Sequence, residues 1–385
     1  MKNYPFLFLL CSFFFVSTAY AQLTEDKQYK LLQTSVEEYK ILKDRNEWPE
    51  ITLKNNASLK LHDVSEALPA IKERLKLLGD LRRVQNVKLF TDMLEGAVKQ
   101  FQLRHGLEDD GVIGPAFMKA LNTPLEKRIG QLMANMDRIM QETAGLTGTR
   151  IIANIPEYKL YVMEDDREVL TMDIVVGKSS NPTVIFADTL ETIVFSPYWN
   201  VPASIVRNEI LPAINRNGNY LQKNNMEITG KVDGLPKIRQ KPGPDNSLGT
   251  VKFLFPNKYD IYFHDTPAKS LFEKKKRAFS HGCIRLSQPY ELAEYLLKDQ
   301  QEWSETEIIR AMGSGTEKWV KLDKKIPVSI IYYTAWVDSY GLLNFRDDIY
   351  GHDSEQARVN LNNAKEASGK EQEQRIKEQR IKSKE

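Results

Sequence analysis

The apolar period of this chain changes at a break of small residues between Gly145 and Gly148, and that change divides what can fold on either side. Before it, apolar residues recur every three or four positions. Leu68, Ile71, Leu75 and Leu78 form one such set, ending at Gly79. Leu94, Val98 and Phe101 with Gln102 form a second, ending near Gly106. This is helical spacing with glycine at the helix ends. After the break come short β-branched runs bounded by turn residues: Ile151–Ile155, Tyr158–Val162, Leu170–Gly177 and Thr192–Phe195. The sequence therefore reads as α+β, a small three-helix N-terminal module followed by a mostly β domain. A chain of 385 residues, 41% hydrophobic, can give each part its own core.

Taken in order, residues 1–21 have a basic start at Lys2, an apolar stretch from Phe6 to Val16 and small residues at Ala19 and Ala21. These are the marks of an export signal cut before Gln22. An uncleaved membrane anchor is the rival, disfavoured because the apolar run is short for a spanning helix. Residues 22–64 read as a helical lead-in or scaffold remnant, with Leu31, Leu32, Val36 and Tyr39 on one face and Pro49 limiting the helix. Residues 65–123 hold the three-helix module, its last helix following the turn Asp109–Pro115. Residues 124–149 form a linking helix through Ile129, Leu132, Met133, Met136 and Ile139. The β domain is expected over 150–350. Within it, about residues 200–250 are a long insertion that suits a lid or a decorative loop. A helix over Ser204–Leu211, stopped at Pro212, is its main patterned part. A terminal hairpin is expected between Val328–Tyr333 and Leu342–Phe345. Residues 351–385 are dominated by Lys, Glu, Gln and Arg and read as disordered or a solvated helix.

Chemistry concentrates at Ser280-His281-Gly282-Cys283-Ile284-Arg285. The chain has two cysteines, and Cys11 lies in the expected signal, so the exported form keeps one thiol and forms no internal disulfide. Cys283 is then a buried filler or a nucleophile. An ordinary thiol, with a pKa of about 8.5, needs a base to ionise at neutral pH. His264 and His281 are the candidates, since His62 and His105 belong to the helical part and His352 borders the tail. His264, at a strand end, is the favoured base. Gly282 permits a tight bend and close approach of a carbonyl substrate to backbone amides. Arg285 supplies a fixed charge for a substrate carboxylate or for orienting the loop. No two of the five histidines sit at metal-ligand spacing with a carboxylate, so neither metal nor cofactor is expected. The formal charge of +2 gives no whole-molecule field to attract nucleic acid.

Two groups of residues resemble known families. Ala97–Gln102, Gly106-Leu107, Asp110–Pro115 and Ala120-Leu121 resemble the three-helix peptidoglycan-binding repeat; the alternative is a plain bundle. His264-Asp265-Thr266 followed by Ser280–Arg285 resembles the signature of the L,D-transpeptidases of the YkuD fold. Trp199–Pro202, Ser204–Val206 and Glu209–Pro212 are similar to its larger subgroup, which has a capping insertion. The resemblance implies acyl transfer on peptidoglycan stem peptides. Cys283 would attack a tetrapeptide stem, expel its terminal D-alanine and pass the acyl group to an amine of another stem, forming 3-3 cross-links. It implies His264 as base, supported by the Asp265 carbonyl, with Ser280, His281 and Gly282 shaping the pocket. Arg285, Tyr262 and Thr266 would meet substrate. Carbapenems are expected to trap Cys283, other cell-wall enzymes are conceivable partners, and the location is the periplasm or cell envelope. Asp265 departs from the glycine found in many members. Water or a protein amine as acceptor, or a non-catalytic wall-binding protein, are the alternatives.

Overall fold

The computed structural model describes residues 25–54, 58–84, 87–141, 148–165 and 167–354. The expected signal at 1–21 and all but the first residues of the charged tail lie outside the described residues.

Five helices come first: α1 (Glu25–Asp44), α2 (Leu68–Leu77), α3 (Asp92–Arg104), α4 (Pro115–Leu121) and α5 (Leu125–Gln141). Thr91 caps α3 by accepting the Leu94 N–H, and Pro115 starts α4, where a missing N–H costs nothing. Helices α2 to α4 share one core, in which Leu68, Ile71, Phe90, Val98, Phe101 and Leu121 are fully buried. The Asp109–Pro115 turn is fixed by Gln102. Its Nε2 donates to Asp110 Oδ1 at 2.7 Å, and its Oε1 accepts from Gly111 N–H at 2.9 Å. Helices α1 and α5 join a different core, with Ile331, Tyr333, Ala335, Val337 and Phe345 from the end of the chain. Gln28 reaches from α1 to bond both the N–H and the carbonyl of Val337, at 3.0 and 2.6 Å. The lead-in thus buttresses the β domain.

The second half contains β1 (Thr149–Asn154), β2 (Lys159–Glu164), β3 (Arg167–Gly177), β4 (Phe186–Phe195) and β5 (Trp199–Asn200). After the insertion come β8 (Val251–Leu254), β9 (Phe263–His264), β10 (Ala278–Ser280) and β11 (Ile284–Leu286). Then follow α9 (Pro289–Leu297), α10 (Glu305–Gly313), β12 (Lys318–Ile331), β13 (Ala335–Val337) and β14 (Leu343–Phe345). The main sheet has nine strands in the order β10-β3-β11-β9-β8-β4-β12-β1-β2, and β2 pairs back onto β3. The sheet is thereby closed, with β10 as an appendage. Strand β3 allows this because it changes partner along its length, from β2 to β11 to β10. Closure leaves an apolar interior of alternate residues such as Ile151, Ile174, Ile193, Phe253, Phe263 and Ile284.

Two expectations are corrected. The terminal hairpin pairs Ala335–Val337 with Leu343–Phe345, while Val328–Ile331 belongs to β12 between β4 and β1. The run was apolar enough for either place, and burial in the closed sheet took it. The helix in the insertion does not stop at Pro212. A helical run continues from α6 (Ala203–Ile205) through a π-turn (Val206–Ile210) to α7 (Leu211–Arg216). The wide turn puts Pro212 in the first turn of α7, where its missing N–H has no partner to lose. The weakly patterned remainder is also ordered, as α8 (Tyr220–Lys223) and a hairpin of β6 (Met226–Val232) and β7 (Leu235–Gln240), with β7 also pairing β5. Asp233 and Gly234 turn the hairpin with φ of 50° and 77°, the left-handed pair that an Asp-Gly dipeptide favours. The insertion leaves and re-enters the barrel at one point, where Ser196 N–H donates to Thr250 O at 2.8 Å.

Candidate active site

Strands β9 and β11 lie side by side and parallel, with Ile284 opposite Phe263 and Arg285 opposite His264. Side chains alternate along a strand, and Phe263 and Ile284 both enter the barrel core. Tyr262, His264, Cys283 and Arg285 therefore share the opposite face. The register assembles them from two segments nineteen residues apart in the sequence.

His264 is 4% exposed. Its Nδ1 faces the Asp265 carbonyl oxygen at 2.5 Å, so Nδ1 carries the proton and Nε2 keeps a lone pair. Burial and then the Arg285 charge push its pKa down to about 3, with Lys252, its register partner on β8, acting the same way. The imidazole rests neutral and able to accept a proton. Cys283 is half-buried, and its Sγ lies 3.6 Å from the Asp260 carbonyl. Burial pushes the thiol up, while the Tyr262 N–H and hydroxyl and the Arg285 charge favour the thiolate. Burial wins, so Cys283 rests as a thiol.

The bend before Cys283 is tied internally. Ser280 Oγ donates to Cys283 O at 2.5 Å and accepts from Gly282 N–H at 3.1 Å. Gly282 has φ 120°, a value only glycine adopts without strain. Its carbonyl accepts from Thr183 Oγ1 at 2.7 Å, and Thr183 Oγ1 accepts from Gly177 N–H at 2.9 Å. Thr183 carries no sequence signal, because it acts from another strand's connection. The loop takes up the Gly282 N–H, and the Tyr262 N–H faces the sulfur.

His281 is exposed and turned away, its Nε2 meeting Glu209 Oε1 in the insertion at 2.7 Å. Of the two histidines, His264 has the environment of a base, and His281 is a contact to the insertion. Thr266, expected at substrate, is 2% exposed, and its hydroxyl accepts the Ala268 N–H, so it shapes the turn after His264. Among the described residues Arg285 Nε is buried without a hydrogen-bond partner, so this cation has bonding capacity left over beside the sulfur.

The departure at Asp265 has a structural counterpart. Its Oδ2 accepts from Thr250 N–H and Oγ1, both at 2.8 Å, and its Oδ1 from Thr266 N–H and Lys269 Nζ, both at 2.7 Å. Burial raises its pKa, but Lys269 and the Thr250 donors outweigh this and hold the carboxyl below its ordinary range. Gly249, with φ 62°, makes room, since a Cβ there would lie 2.3 Å from Asp265 Cγ. The carboxylate is thus pinned away from the imidazole and steadies the carbonyl that orients it. Among the described residues no group of three His, Cys, Asp or Glu is placed to hold a metal.

Residues 148–356 match the YkuD family, described as the L,D-transpeptidase catalytic domain. The chain belongs to this family. In this YkuD chain, residues 65–121 further match a model described as "Putative peptidoglycan binding domain". A Haemophilus influenzae protein named "Putative L,D-transpeptidase" is 32% identical over 219 residues, which cover 53% of this chain and 44% of that one. The chain therefore spans less than half the length of that relative. Solved structures with some likeness include an L,D-transpeptidase from Mycobacterium smegmatis, at 15% identity, covering 48% of this chain and 58% of that one, TM-score 0.26. L,D-transpeptidase 3 from Mycobacterium tuberculosis, in complex with a faropenem-derived adduct, is 16% identical over 48% of this chain and 60% of that one, TM-score 0.25.

Proposed function

We propose that this protein is a cysteine-dependent L,D-transpeptidase of the cell envelope that forms 3-3 cross-links between peptidoglycan stems. The observation that carries this reading is the parallel register of β9 and β11, with His264 Nδ1 committed to the Asp265 carbonyl. Cys283 Sγ attacks the L-centre carbonyl of a tetrapeptide stem as His264 Nε2 takes the thiol proton. The same proton goes to the departing amine of D-alanine as the C–N bond breaks, leaving a thioester. Donors at the Cys283 and Tyr262 N–H groups suit the oxyanion, and Arg285 suits a stem carboxylate. The amine of a second stem then displaces Cys283.

Two further facts favour peptidoglycan as substrate. The helical module matches a peptidoglycan-binding description, and it is fastened to the catalytic half through buried groups. Arg104 pairs with Asp80 and donates to Leu343 O at 2.5 Å, and Arg346 donates to Arg104 O at 3.0 Å. His105 stacks on Phe101 and on Phe345. Wall binding and chemistry would thus share one rigid unit. Carbapenems, which acylate as mimics of the stem, are expected to label Cys283.

The test is incubation of purified protein with disaccharide-tetrapeptide and mass spectrometry of the products. Dimer and free D-alanine are expected from the wild type, and neither from Cys283→Ala. D-alanine without dimer would assign a carboxypeptidase instead, and activity surviving Cys283→Ala would end the cysteine mechanism.

A further inference from the structure

The loop that leads into β9 carries a carboxylate for which the acylation step has no use. Asn257 builds this loop. Its Nδ2 donates to Phe255 O and Ile261 O, both at 2.7 Å, and its Oδ1 accepts from Tyr259 N–H at 3.0 Å and Ile261 N–H at 3.2 Å. The Tyr259 ring packs on Phe186 at 5.2 Å, and the Lys258 ammonium lies over Tyr259. At the end of the loop Asp260 takes φ 54°, and it is the residue whose carbonyl faces Cys283 Sγ at 3.6 Å. Its side chain is exposed. Among the described residues the carboxylate accepts no hydrogen bond and has no cation within ion-pair distance.

Position along the strand pair gives this group a direction. Tyr262 lies beside Cys283, and His264 lies beside Arg285. Asp260 therefore sits on one side of the sulfur and Arg285 on the other. The cleft is bipolar, with Arg285 at the His264 end and Asp260 at the loop end, neither in an ion pair among the described residues. Moreover, the Asp260 charge works against the first half-reaction, because it adds to the burial that pushes the thiol up. A charge that hinders the nucleophile before acylation has its use after it, when the sulfur is already a thioester and a cation has to approach.

We propose that the Asp260 carboxylate receives the acceptor amine as its ammonium ion and steers it onto the acyl-Cys283 carbonyl, selecting an amine over water. The inference rests on the transpeptidase reading above and names its acceptor-side residue. The ammonium docks on Asp260 and gives up one proton, which the carboxylate releases to solvent. The amine nitrogen then forms the C–N bond as the C–S bond breaks. Its second proton passes through His264 Nε2 to the departing sulfur, so that amide, thiol and one solvent proton are the products. A primary amine flanked by carboxylate-bearing centres, as on a stem peptide, fits such a bipolar cleft.

The experiment uses the full chain, with the disaccharide-tetrapeptide as donor and acceptor, and reads three quantities: D-alanine release, dimer and hydrolysed tripeptide. Aspartate to asparagine keeps the side-chain shape and tolerates a left-handed backbone, so Asp260→Asn is the informative variant. The expected result is D-alanine release in the first turnover, read as the acylation burst, within about twofold of wild type, and a dimer-to-tripeptide ratio lowered roughly tenfold, the loss of one charge-assisted contact. The apparent KM for the acceptor rises, and Asp260→Glu restores part of the ratio. Labelling of Cys283 by a carbapenem, read by intact mass, stays as fast or becomes faster. An unchanged ratio, or a parallel fall in release and dimer, overturns the proposal while leaving the transpeptidase reading standing. Absence of D-alanine release from the wild type removes that reading and this inference with it.

Discussion

The wall of the cleft that holds His264 and the insertion that reaches over the same cleft differ in how many groups fix them. His264 is buried, bonded through Nδ1 to Asp265 O and bracketed by Lys252 on β8 and Arg285 on β11, while the Asp265 carboxylate below it satisfies four donors. The insertion has a small core of its own, Val201, Ile205, Val206, Ile210 and Ile238. Among the described residues its hydrogen bond to the Ser280–Arg285 loop is Glu209 to His281, whose side chains are 52% and 36% exposed. A proton-transfer group must stay in place to within a fraction of an ångström, and dense burial and bonding supply that. An insertion capping the proposed peptidoglycan substrate would have to admit bulky chains, and elements that do so come from the weakly held part of a fold.

The largest break in that comparison comes at His264. His264→Gln is expected to lower kcat on the order of a hundred- to ten-thousandfold, measured as D-alanine release. The same variant tests the burial. The folded-state pKa of His264 is about 3 against an ordinary 6.5, so between those values the unfolded chain holds a proton that the folded chain lacks. Stability from this group is complete above pH 6.5 and is lost as pH falls toward 3, by about 1.4 kcal/mol per unit. Buried His105 is pushed in the same direction. Urea titrations at pH 7 and 4.5 should show His264→Gln losing less stability on acidification than the wild type; equal losses would remove buried His264 as a cause.

Next in size is Gly249→Ala. It puts a Cβ at a left-handed position and into Asp265 Cγ. A loss of about 2 to 4 kcal/mol is expected, with lower kcat as the Asp265 carbonyl shifts. Unchanged melting and turnover would show that the Asp265 clamp yields freely. The smallest effect belongs to the cap. Glu209→Ala should change global stability by less than about 1 kcal/mol, since both partners are largely exposed. Limited proteolysis between residues 203 and 240 should quicken. Protection equal to wild type would mean that the cap is held as firmly as the base.

Much of this was legible in the chain. Helix and strand periods located the two halves, and the glycine and proline signals bounded most helices. The Asp233-Gly234 turn had a local signal, since both residues have the conformational freedom it needs, but the polar composition around it hid the two strands. The Pro212 break was a reasonable local inference, overruled by a π-turn that local rules do not contain. The roles of Thr183, Gly249 and Lys269 were not legible, because each acts on a residue brought to it by folding. Asp265 looked like a flaw in a motif until its donors were seen.

The sequence by itself determined the order of α and β halves, Cys283 as the one cysteine beyond residue 21 and the residue types a thiol needs for acyl transfer. These follow from side-chain chemistry and from periodicity along the chain. Only the tertiary structure decided that His264 is buried beside Arg285 while His281 turns to Glu209, which donors hold the Asp265 carboxylate, and that the lead-in helix supports the β domain. Those depend on the parallel pairing of β9 with β11 and on closure of β2 against β3. Such pairings are non-local, and their register is set by burial on the far side of the sheet rather than by the residues that do the chemistry.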